Sequence, residues 1–129
     1  MKSIAKPLSA GILAGLLSAW LAGAATAADP IGTYERPSTG AQVQFYDCGG
    51  KLCGKVVKVK DPAKKDNIGK LILNGAAKNG DNAWKGDLLN LEDGKTYAGH
   101  LKILSPTELR LEGCTAVVLC KGETWKKVN

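Results

Sequence analysis

Four cysteines, Cys48, Cys53, Cys114 and Cys120, are the residues whose type and spacing bear most directly on covalent chemistry in this chain of 129 residues. An even count admits two disulfides in three pairings. The C-x4-C run Cys48-Gly49-Gly50-Lys51-Leu52-Cys53 holds two glycines in a short connection, which reads as a hairpin turn with its cysteines facing each other on paired strands. The favoured set is Cys48–Cys53 with Cys114–Cys120, each small loop contributing about 2 kcal/mol by the chain-entropy estimate. The rival is a four-cysteine zinc site, which a C-x4-C spacing tolerates and a C-x5-C spacing does not. No metal or other cofactor is therefore expected.

His100 is the only histidine. By strand alternation it shares a face with Thr96, Ala98 and Lys102, opposite Tyr97, Leu101 and Ile103, and so faces solvent. Alone, it builds neither a catalytic triad nor a catalytic metal site. Glu92-Asp93 is the obvious carboxylate pair, but neighbours on a strand point to opposite faces, and the following Gly94-Lys95 make it a hairpin turn. The chain is thus expected not to be an enzyme. Residues 51–70 carry seven lysines against Asp61 and Asp66. This patch suits an acidic envelope surface; equally, lysines on an exposed strand prevent edge-to-edge aggregation. With no aromatic residue interleaved for base stacking and a modest overall charge, nucleic acid is not an expected partner.

These groups follow a segment with the organisation of an export signal. Lys2 and Lys6 precede an uncharged apolar stretch, Leu8 to Leu21, and a small-residue run, Ala22 to Ala28. Residues 1–28 are read as a cleavable signal peptide, leaving 29–129 as one domain in the periplasm or outside the cell. No membrane span is expected after cleavage, and the mature net charge falls to about +4. In an oxidising compartment disulfides persist.

The elements that must position the cysteines and aromatics are strands. Apolar and polar residues alternate at Val43 and Phe45, at Val57 and Val59 against Lys58 and Lys60, at Leu101 and Ile103, and at Leu109 and Leu111. Turn formers separate them at Pro37-Ser38-Thr39-Gly40, Gly49-Gly50, Asp61-Pro62, Asn79-Gly80-Asp81-Asn82, Glu92-Asp93-Gly94-Lys95 and Ser105-Pro106. About eight strands result, near 31–35, 41–48, 53–60, 70–75, 84–91, 96–104, 108–114 and 123–128. Such a run is an antiparallel meander, and closing into an up-and-down barrel removes its edges. Residues 113–122 leave two options open, a helical turn between strands or a plain hairpin.

The motifs Gly32-Thr33-Tyr34, Cys48-Gly49-Gly50-Lys51-Leu52-Cys53-Gly54-Lys55-Val56-Val57, Trp84-Lys85-Gly86, Glu92-Asp93-Gly94-Lys95-Thr96-Tyr97, Gly113-Cys114 and Thr124-Trp125 occur in this order. In order and spacing they resemble a bacterial family catalogued as domain of unknown function 2147. The resemblance implies an exported, all-β, lipocalin-like (calycin-like) barrel and brings no established catalytic residue. It also implies that Gly32, Tyr34 and Lys127 close the barrel, with Tyr34 and Lys127 standing where such barrels carry a Trp and an Arg. A Tyr–Lys contact keeps some cation–π attraction but loses the planar stacking of guanidinium. Residues 61–70 look shortened relative to the family, with Asp66-Asn67 as the remnant.

Two interiors follow from the aromatic residues. Phe45, Tyr97 and Trp125 either fill the barrel as a packed core, or wall a shallow cup in a barrel about 18 Å tall. In the cup, a small apolar ligand sits at the barrel mouth against Phe45, Tyr97, Leu101 and Trp125. The alternative is an envelope interaction or structural module that uses the lysine-rich outer face. Oligomeric state is not encoded in any motif.

Overall fold

The computed structural model of the protein describes residues 29–116 and 119–129. The signal segment expected at 1–28, and Val117-Val118 in the last hairpin, lie outside the described residues. Eight strands follow in order: β1 Gly32–Glu35, β2 Gln42–Asp47, β3 Leu52–Lys58, β4 Leu71–Gly80, β5 Ala83–Leu89, β6 Thr96–Ser105, β7 Glu108–Ala116 and β8 Leu119–Lys127. Each pairs antiparallel with its sequence neighbour, and β1 pairs with β8, so the sheet closes into an up-and-down barrel. No helix among the described residues is long and apolar enough to cross a membrane.

Turn chemistry explains the hairpins. Gly49 and Gly50 both have positive φ, which only glycine adopts without steric cost, and they form the two-residue β2–β3 turn closed by Cys48 N–H to the Lys51 carbonyl at 2.9 Å. The β1–β2 and β5–β6 connections repeat one design. Arg36 N–H donates to the Ala41 carbonyl and Gly40 N–H to that of Arg36; Asn90 N–H donates to the Lys95 carbonyl and Gly94 N–H to that of Asn90. The β3–β4 connection contains a 3-10 turn, Pro62–Asn67, capped by the Asp61 carboxylate, which accepts from Ala63 N–H at 3.0 Å. The open question at 113–122 resolves as a hairpin, with Cys114 directly opposite Cys120. Accordingly β8 begins at Leu119 rather than 123, and β4 runs on to Gly80.

The core comprises Tyr34, Val43, Phe45, Leu52, Val56, Ile72, Leu73, Ala76, Trp84, Leu101, Ile103, Leu109, Leu111 and Trp125. Alternation placed Val57 and Val59 inside, and here β3 requires a correction. Gln42 pairs with Lys58 while Val43 pairs with Val56, so Val57 is the extra residue of a bulge and Val56 takes the inward position. Beyond the bulge the parity is restored, and Val59 packs against the core.

Candidate functional site

Because every connection is antiparallel, the ends of the barrel alternate along the chain. One end carries the short β2–β3, β4–β5 and β6–β7 turns and both described termini. The other carries the β1–β2, β3–β4, β5–β6 and β7–β8 connections. Between these four lies the mouth of a cavity of about 720 Å3, within the range of small-molecule sites. Its apolar wall includes Val43, Val56, Ile72, Leu88, Leu91, Leu111 and Trp125, and its polar groups include Arg36, Asn90, Asp93, Tyr97, Thr115, Lys121 and Glu123.

Of the four residues expected at the mouth, Tyr97 and Trp125 line the cavity and Phe45 and Leu101 do not. Depth along the strand is the reason. β6 runs inward from the mouth, so Tyr97 is near the rim while Leu101, four residues further along the tilted strand, lies about 10 Å deeper. Leu101 instead borders a separate cleft of about 370 Å3 with Trp84, His100, Lys102 and Arg110. Phe45 likewise lies deeper on β2 than Val43. Its ring fills the space over Gly54, where a Cβ would stand only 2.8 Å from Phe45 Cε1. The base is an aromatic cluster: Tyr34 meets Phe45 edge-on at 5.8 Å, and Phe45 meets Trp125 at 6.1 Å. The two interiors read from the sequence thus coexist, a packed base beneath an open cup.

Val56, Ile72, Leu88 and Leu91 were not singled out by sequence reasoning. Ile72 belongs to the unbroken run Leu71-Ile72-Leu73, Leu91 lies in a turn, and the bulge hides Val56. The ion pairs at the rim were missed as well, because they join residues far apart in sequence. Arg36 Nε donates to Glu123 Oε2 at 2.7 Å on the neighbouring β8, and Arg36 Nη1 reaches across the ring to Glu92 Oε1 at 3.1 Å. Ser38 adds its backbone N–H to Glu123 Oε1 at 3.1 Å and its hydroxyl to Oε2 at 3.0 Å. Burial is the largest influence on Glu123 and opposes its charge, yet the hydrogen bonds from Arg36 and Ser38 outweigh it and hold the carboxyl below its usual range.

Glu92 and Asp93 do form a turn, and it folds over the mouth: Leu91 packs against the core and the Tyr97 hydroxyl donates to Asp93. That bond, with a second from Lys95 N–H, lowers the Asp93 pKa, and the same bond raises that of Tyr97.

At the closure, Tyr34 stands opposite Lys127 in the β1–β8 register. The cation–π contact expected between them is absent among the described residues; lysines lie over Tyr46 (Lys55) and Trp84 (Lys78) instead. Residues opposed in register project on the same side, but Lys127 is exposed and its stem crosses Gly32, where a Cβ would stand 2.6 Å from Lys127 Cε. Phe45 takes the place beside the Tyr34 ring. Both favoured cysteine pairs are at disulfide distance. Cys48, however, does not directly face Cys53: the two-residue turn sets Cys48 against Lys51, and Cys53 pairs with Tyr46, so this bridge runs diagonally. His100 lies on the outer face, in register with Lys85 and Glu112. No group of three or more His, Cys, Asp and Glu side chains gathers at metal-binding distance among the described residues.

A closed eight-strand meander with a packed base and an apolar mouth defines a lipocalin-like barrel. The family model described as "Uncharacterized protein conserved in bacteria (DUF2147)" matches residues 32–127, and the chain belongs to this family. Among solved structures, the chain is similar to protein HP1028 from Helicobacter pylori, described as belonging to the lipocalin family, at 21% identity and a TM-score of 0.64 over 79% of this chain and 84% of that one. At that identity the likeness shows the fold. No curated protein matches the sequence.

Proposed function

We propose that this is a non-catalytic exported protein, periplasmic or secreted, that binds a small apolar ligand in the cup. The observation that carries the reading is the cavity of about 720 Å3, walled by Val43, Val56, Ile72, Leu88, Leu111 and Trp125 and open between the four connections at that end. Packed cores leave few voids larger than a water molecule, so apolar space of this size in a small domain is a site rather than a packing fault. The polar groups stand at the rim, where they would orient a polar end, while the floor offers only apolar surface.

Trp125 on the cavity wall supplies the test. Residues 29–129 contain all eight strands and both disulfides. In that chain, Trp84→Phe leaves Trp125 as the sole tryptophan. Hexadecanoate, added below its critical micelle concentration, should shift Trp125 emission saturably. Gly113 lines the cavity, and a Cβ there meets Leu88 Cδ2 and Tyr97 Cβ at 3.4 Å, so Gly113→Leu projects into the cup without striking backbone. That substitution should abolish the shift while circular dichroism is unchanged. An equal shift in both chains would place the lipid elsewhere.

A further inference from the structure

The rim of the cup carries two strongly exposed apolar side chains, Ile68 outside the cavity and Leu119 on its lip. Ile68, which is 49% exposed, follows the 3-10 turn of the β3–β4 connection, and Leu119, 64% exposed, opens β8. In a ring of eight strands these two positions stand on opposite sides of the mouth. Each has basic company. Lys60, Lys64, Lys65 and Lys70 are exposed around Ile68, and Lys121 is exposed beside Leu119. Among the described residues the ion pairs are those of Arg36 with Glu92 and Glu123 and of Arg110 with Glu112, so none of these lysines is neutralised by a carboxylate at contact distance. Asp61, the nearest acid in sequence to Lys60, is engaged as the cap of the 3-10 turn.

Ile31, Leu104 and Val128 are also exposed, but they lie at the other end. The turns and termini there carry Asp29, Asp47, Asp81 and Glu108, which offset Lys51, Lys126 and Lys127. By the same count the mouth carries Arg36, Lys60, Lys64, Lys65, Lys70, Lys95 and Lys121 against Asp61, Asp66, Glu92, Asp93 and Glu123, so a positive excess and apolar tips coincide at this end. Two weak signals of this kind, apolar side chains entering the acyl boundary and lysines at the headgroups, are what reversible attachment to an anionic membrane requires.

We infer that the mouth end of the barrel docks on an anionic lipid bilayer, with Ile68 and Leu119 inserted on either side of the opening and the lysines of the β3–β4 connection on the headgroups. The charge around the tips selects a lipid surface of opposite sign. The continuity of this face with the cup gives docking a purpose, since an apolar ligand would pass from the bilayer without crossing water. That purpose rests on the ligand-binding reading; the docking itself does not.

Flotation of residues 29–129 with vesicles tests it. Vesicles of phosphatidylcholine with about a third phosphatidylglycerol should bind the protein at least tenfold more strongly than phosphatidylcholine alone, with binding that weakens as salt rises. Ile68→Ser combined with Leu119→Ser alters only exposed positions and should lower binding about tenfold at fixed salt, and Lys64→Glu with Lys65→Glu should do the same. Absence of binding to the anionic vesicles overturns the inference. So does binding that the double serine variant leaves intact, since the tips would then take no part. Failure of the cup is read separately, from Trp125 emission in solution without vesicles.

Discussion

Tyr34 shows how a single side chain serves this fold at a cost. It is 0% exposed, its ring packs edge-on against Phe45, and its hydroxyl has no hydrogen-bond partner among the described residues. Burial, with a smaller contribution from Asp29, raises its pKa, so the group stays neutral. Removing a hydroxyl that has no bond to lose spares its desolvation, whereas removing the ring empties the base. Tyr34→Phe should therefore leave the urea midpoint unchanged or raise it, while Tyr34→Ala should cost about 3–5 kcal/mol. A clear loss in Tyr34→Phe would mean that the hydroxyl has a partner in solution. Gly54 is the complementary case, because its missing Cβ makes room for Phe45. Gly54→Ala should cost about 1–3 kcal/mol by overpacking, measured by the same denaturation. Alternation made Phe45 legible as an interior residue, but nothing local indicates that its ring lies over a glycine of the next strand.

Hairpins were the most legible elements, since glycine at a positive φ and short polar connections leave a mark within a few residues. The bulge in β3 left an ambiguous one: Lys55 and Lys58 stand three apart, so no single alternation keeps both outside, but Val56 and Val57 are both apolar and only pairing with Gln42 and Val43 decides which is the extra residue. The β7–β8 hairpin illustrates an element held covalently next to the site, with Cys120 on the cavity wall and bridged to Cys114. Cys114→Ser with Cys120→Ser should destabilise the domain by about 2 kcal/mol, the loop-closure value for a ring this small, in equilibrium unfolding without reductant. No change would mean that the strand pairing alone closes the hairpin in the unfolded ensemble. Where β1 leaves the barrel, Glu123 ties the β1–β2 connection to β8. Its folded pKa is lowered, so its contribution is complete above the unfolded value of about 4.3–4.5 and is lost as the pH falls through the folded one. Glu123→Gln should flatten the acid limb of a stability-against-pH curve; an unaltered limb would assign the acid sensitivity to another carboxylate.

The meander and its closure were readable over the whole molecule, because eight short strands with tight connections have few other ways to cover their edges. The cup was not, since depth inside a barrel depends on strand direction and stagger, which placed Leu101 and Phe45 below the mouth and brought Ile72 and Leu88 to it. Closure also has a weak line. β1 and β8 share two register pairs, Tyr34 with Lys127 and Glu35 with Lys126, supplemented by Thr33 N–H to the Asn129 carbonyl at 2.9 Å and Val128 N–H to the Thr33 carbonyl at 2.8 Å. By contrast β6 and β7 pair from Ala98 with Cys114 to Ser105 with Glu108. Local opening should follow the shorter ladder, because fewer hydrogen bonds and less buried surface must be released together. In native-state hydrogen exchange the amides of Thr33 and Val128 should therefore exchange faster than those of Leu101, Ile103, Leu109 and Leu111, and deleting Val128-Asn129 should widen the difference at Thr33, whose N–H loses the Asn129 carbonyl. Uniform protection around the ring would show that the barrel opens only by global unfolding.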